Sequence, residues 1–211
     1  MNDFKTKCGV MTCGALLAAA LLGAVGVGCD EKASTPTGAQ QGGSATPAPA
    51  VPAVAGGRAE FVDTDFGFRV TPTKGWRDVP ATGVQVPGRV LKVWTTDGVN
   101  SIVAFVQEAG QPVTAKYLLD SSATSVKQSG YSVTFEQVVQ VAGSEAMSMK
   151  LTGPGNGAAI GMGIGNTPTY QHWIAIPKQN RVLVLLLTAP DASKGEPAKG
   201  FEAMIQSVKL D

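Results

Sequence analysis

The chain has 211 residues, 44% of them hydrophobic and 16% charged, with a formal net charge of +1. That length carries a single globular domain once its extensions are subtracted. Near-neutrality leaves no surplus of lysine and arginine to neutralise phosphates, which argues against nucleic acid as a partner. Cys8, Cys13 and Cys29 are the only cysteines, so the chain beyond them must fold without a disulfide, as a domain of about 150 residues can.

Lys5 and Lys7 make a basic start, and the stretch from Gly9 to Gly28 is uncharged and rich in Ala, Leu, Val and Gly. That is the pattern of an export signal. Gly28 is a small residue directly before Cys29, and the surroundings resemble the bacterial lipobox, although Gly26 and Val27 depart from its usual residues. The resemblance implies residues 1–28 as a signal peptide, lipidation of the Cys29 thiol, and the membrane as a partner through that anchor. It places the domain in the cell envelope, outside the cytoplasm, most simply on the periplasmic side of the inner or outer membrane. Two readings stay open beside it: an uncleaved span, which needs about 20 apolar residues, and ordinary signal cleavage that frees the protein.

Residues 29–57 carry Cys29 and then Pro, Ala, Thr, Gly, Gln and Ser with almost no large apolar side chain. Such a segment cannot bury enough surface to offset the entropy of ordering, and is expected to be a disordered tether. Pro36, Pro47, Pro49 and Pro52 stiffen it toward extended conformations.

The remainder, 58–211, reads as strands with two helices. Phe66, Phe68 and Val70 alternate with Gly67 and Arg69 as a strand with one buried face. Val90–Thr95 and Ser101–Gln107 flank Asp97 and Gly98, a pair suited to a tight hairpin. Thr114 can cap a helix carrying Leu118, Leu119, Ala123 and Val126 at helical spacing, with Gly130 in the left-handed position past its end. Tyr131–Val141 and Glu145–Thr152 form a second hairpin around Gly143 and Ser144. Thr169–Ile176 and Arg181–Thr188 form a third, turning at Gln179 and Asn180. The apolar run Val182–Leu187 predicts a central strand covered on both faces. Pro197 can open a last helix whose Phe201, Met204, Ile205 and Val208 face inward. The fold class that follows is α+β, an antiparallel sheet with packed helices.

Phe66-Gly67-Phe68-Arg69-Val70, then Gly75-Trp76, a strand hairpin, a helix, two hairpins and a terminal helix together resemble the PsbP-like fold. That fold is shared by the photosystem extrinsic protein PsbP, the Ran-binding Mog proteins and bacterial lipoproteins of the DcrB and LpqN type. The resemblance implies an α/β/α sandwich used as an interaction module rather than a catalytic centre; an envelope protein as partner is the expectation that export and anchoring add. It names no partner, since function lives in sites grafted on folds.

Chemistry has few places to start. His172 is the only histidine, so paired-histidine zinc motifs are excluded and any Ser-His-acid triad must be built around it. Neither a Gly-x-Ser-x-Gly elbow nor a phosphate loop is present, and Gly161, Gly163 and Gly165 read as a bulged strand edge. Asp63 and Asp65 are too few for a calcium site; no metal and no cofactor is expected. Trp76, Trp94 and Trp173 offer the rigid area that interfaces favour, against the reading that all three are core. The expectation is a non-enzymatic envelope lipoprotein that binds a protein partner. The alternative is an envelope hydrolase or small-ligand-binding protein, with a cleft around His172 or the Asp63 and Asp65 pair.

Overall fold

The computed structural model describes residues 59–154 and 167–211. The expected signal segment, Cys29, the expected tether and Gly161, Gly163 and Gly165 lie outside them. In chain order the elements are β1 (Phe61–Asp63), β2 (Phe68–Val70), β3 (Arg77–Val79), β4 (Arg89–Thr95), β5 (Ser101–Glu108), α1 (Ala115–Gln128), β6 (Ser132–Val141), β7 (Ser144–Gly153), β8 (Thr169–Lys178), β9 (Arg181–Pro190), α2 (Gly195–Gln206) and β10 (Lys209–Leu210).

Seven strands form one antiparallel sheet in the order β3-β4-β5-β9-β8-β7-β6. The apolar run expected to be central is β9, the fourth of the seven, paired along its length with β5 and β8. Its side chains alternate between two cores, as a pleated strand requires. Leu183, Leu185 and Leu187 face one; Val182, Val184 and Leu186 face the other.

The first core is closed by α2, through Phe201 and Met204, together with a small sheet in the order β1-β2-β10 that brings Phe68 and Val70, with Phe66 beside them. The second is closed by α1, through Leu118, Ala123 and Val126, and by Val79, Val84 and Val86 around β3 and the segment after it. One helix on each face makes the α/β/α sandwich that the resemblance implied.

Local signals explain most boundaries. The Thr114 side chain accepts the Tyr117 N–H and starts α1, and Gly130 at φ 82° follows its end. The turn after β6 differs from expectation: it is Ala142–Gly143, at φ 51° and 80°, since Val141 pairs directly with Ser144. Two consecutive left-handed residues match the right-handed twist of the flanking strands. The β4–β5 turn also differs. Thr95 pairs with Ser101, leaving a five-residue loop from Thr96 to Asn100. Asp97 closes it with its carboxylate, which accepts the Val99 and Asn100 N–H groups at 3.0 Å. Those bonds hold the Asp97 carboxyl below its ordinary range, the one from Asn100 foremost.

Candidate functional site

Three places on this frame gather polar or unpaired groups. On the α2 face, Lys150 of β7 pairs across the ladder with His172 of β8, and Ser148 lies one pleat along. Ser148 Oγ and His172 Nε2 share a hydrogen bond of 3.2 Å. Glu202 of α2 takes the Lys150 ammonium at 2.7 Å. The composition is Ser, His and Glu, but the geometry is not that of a nucleophilic triad. Ser148 is 3% and His172 4% exposed, both beneath α2. His172 Nδ1 has no partner among the described residues, and the Glu202 carboxylate is spent on Lys150 rather than orienting the imidazole.

The electrostatics agree. Burial, helped by the Lys150 charge, lowers the His172 pKa to about 4, so the ring is neutral at ordinary pH. Burial, with Glu202 nearby, pushes the Tyr170 hydroxyl up to about 12. Its bond to Lys150 holds Glu202 ionised below its ordinary range.

Asp63 and Asp65 are brought together, but on Arg89. The guanidinium reaches Asp63 at 3.2 Å and Asp65 at 3.4 Å, and Asp63 also accepts the Phe66 N–H. An open cleft of about 720 Å³ lies beside them, its charges supplied by Asp65, Arg89, Glu108 and Arg181. Two acids and two bases give it no preferred ligand sign. No cluster of three or more potential metal ligands occurs among the described residues.

The tryptophans divide. Trp94, fully buried, and Trp173, 2% exposed, lie in the two cores, which takes both off any docking surface. Their large rings fill sheet faces that would otherwise be hollow. Trp76 is half-buried, packed against the first core with its indole close over Gly200 of α2.

The third place escaped sequence reasoning. The two edges of the seven-stranded sheet are built differently. At one, β3 is three residues long and carries Arg77 and Asp78, a short charged edge of the kind that resists pairing. At the other, β6 runs ten residues, SVTFEQVVQV, with one charge, no lysine and no proline. Its outer side pairs with no strand among the described residues. Phe135 and Val138, 36% and 37% exposed, project from its two faces. The only sequence signal was its length and β-branched content; its place at the edge depends on the whole topology.

No protein-family model and no curated protein matches the chain. Among solved structures it is similar to cyanobacterial PsbP (CyanoP) from Synechocystis, at 12% identity and TM-score 0.49, over 77% of this chain and 99% of that one. It is similar to LpqN, involved in cell envelope biogenesis of Mycobacterium tuberculosis, at 15% identity and TM-score 0.48, over 72% and 89%. It is also similar to a protein of Bacteroides thetaiotaomicron, at 12% identity and TM-score 0.47, over 72% of this chain and 48% of that one. The chain thus spans about half the length of the Bacteroides protein. At such identities and TM-scores, function has to come from the chain's own residues.

Proposed function

We propose that the chain is an exported, lipid-anchored cell-envelope protein whose single PsbP-like domain works without catalysis, by docking a protein partner along β6. The observation that carries the docking is the contrast between the edges: one guarded by shortness and charge, the other a ten-residue strand whose outer side pairs with no strand among the described residues and which carries exposed Phe135 and Val138. Proteins recognise partners by adding a strand to such an edge, the main chain giving affinity and alternate side chains giving specificity. The hydrolase alternative loses its ground at His172, because a nucleophile and base sealed under α2 cannot meet a substrate. The basic start, the uncharged stretch to Gly28 and Cys29 support the anchor. Among the described residues no helix is long and apolar enough to cross a membrane.

Two measurements test the two halves. Intact mass and membrane fractionation of the expressed chain, beside Cys29→Ser, should show wild type cut before Cys29, acylated and pelleting with membranes, and the variant unlipidated. Wild type that keeps residues 1–28, or that appears free of acyl mass, overturns the anchor. For the docking, a photo-reactive side chain in place of the exposed Gln140 of β6 should give a protein adduct in intact cells. The same group in place of exposed Lys74 should not, and adducts from both or from neither overturn docking at β6.

A further inference from the structure

We infer that the strand received by β6 is β6 of a second copy of this chain, joining two seven-stranded sheets about a two-fold axis. The inference rests on the docking reading above and names its occupant.

The argument begins with register. A bulge between Val133 and Phe135 interrupts the pairing with β7, so the regular part of the edge is Phe135–Val141. Its midpoint is Val138. Closed two-fold assemblies use the same patch on both partners, so that each residue pairing is made twice. An antiparallel pairing centred on Val138 sets Val138 opposite itself, Gln137 opposite Val139, Glu136 opposite Gln140 and Phe135 opposite Val141.

Three features of the chain fit this arrangement. Opposed residues project on the same face throughout, because each pair is separated by an even number of residues. The single charge of the stretch, Glu136, meets a neutral amide rather than its own copy, and like charges directly opposite would be unfavourable. Each exposed apolar residue gains an apolar neighbour: Phe135 covers Val141 on the α2 face, and the two Val138 side chains meet on the α1 face. Side chains directly opposite in an antiparallel pair have Cβ atoms about 4.5–5.5 Å apart.

The test uses the full-length chain in the membranes of the cells that express it. Val138→Cys, mildly oxidised, should form a disulfide-linked species of twice the chain mass, because the two-fold sets the new thiols face to face. Wild type, which has only Cys8, Cys13 and Cys29, and Val99→Cys, exposed on the β4–β5 loop, should not. In detergent, Val138→Lys should weaken self-association roughly tenfold or more by opposing two ammonium groups on the axis. A Val138→Cys adduct with a different protein overturns the second copy and leaves the docking reading standing. No adduct at all, with Val138→Lys sedimenting as wild type does, overturns both.

Discussion

The His172 imidazole stands edge-on to the Phe201 ring with centroids 5.0 Å apart, so the side chain that anchors α2 also seals the one histidine from water. Since the folded ring titrates at about 4, against about 6.5 when unfolded, the unfolded chain takes up the proton first as pH falls. Stability from this group is therefore complete above about pH 6.5 and lost progressively toward pH 4, with nothing further lost below it. The shift sets a ceiling of about 3 kcal/mol on the effect. Urea midpoints between about pH 7 and pH 4 should fall for wild type and stay flatter in that window for His172→Phe. Parallel curves for the two would show that His172 is protonated in the folded protein.

Asp97 gives a second acid limb, lower on the pH scale. Its carboxylate closes the β4–β5 loop by accepting the Val99 and Asn100 N–H groups and the Asn100 side-chain amide. Its folded pKa is depressed, so the stabilisation is present above the ordinary carboxylate range and is lost as pH falls below it. Asp97→Ala should cost about 1–2 kcal/mol at neutral pH, the range found when a side chain that caps backbone N–H groups is removed. An unchanged denaturation midpoint would mean that water replaces the carboxylate without loss.

How much of this was legible depends on where each element draws its stability. The Val182–Leu187 run read as a central strand because burial on both faces leaves a continuous apolar signature, and α1 read from Thr114 to Gly130 because its caps are local. β1, β3 and β10 left no signature: two or three residues long, they exist because β2 and β4 offer them partners. The β4–β5 loop misled because Asp97-Gly98 has the composition of a two-residue turn, while the Asp97 carboxylate and the Thr95 hydroxyl, bonded to the Asn100 carbonyl at 2.7 Å, close a longer one. His172 was visible, but its bond to Ser148 spans 24 residues and follows from β7–β8 register. The unguarded β6 edge is likewise a property of strand order, which no local pattern encodes.

Thr188 and Ser101 lie directly opposite each other on the α1 face, 3% and 0% exposed, and neither hydroxyl has a partner among the described residues. A buried hydroxyl with no bond costs desolvation and returns nothing, so an apolar isostere should be tolerated or better. Thr188→Val should change stability by less than about 1 kcal/mol or raise it. Leu187→Ala, one residue away in the other core, should cost about 2–5 kcal/mol through its cavity. Marked destabilisation by Thr188→Val would show that a bound molecule satisfies the pair.

Gly200 sits inside α2, where replacing glycine by alanine ordinarily stabilises by about 0.5–1 kcal/mol. Here the sign should reverse. A methyl on Gly200 would come within 2.8 Å of Trp76 Nε1 and 3.3 Å of Thr73 Oγ1, and Thr73 also donates to the Gly200 carbonyl at 3.1 Å. The indole must therefore shift, and with it the packing of Trp76 against the first core. Gly200→Ala should lower stability by about 1–3 kcal/mol, the usual cost of overpacking. Trimming the indole in Trp76→Leu removes the obstacle, so a double-mutant cycle should show the two changes strongly non-additive, with Gly200→Ala regaining its helix-propensity benefit in the Trp76→Leu background. Additive costs would mean that Trp76 and Gly200 do not touch, and that α2 is held against the sheet without the indole, by residues such as Phe201 and Met204.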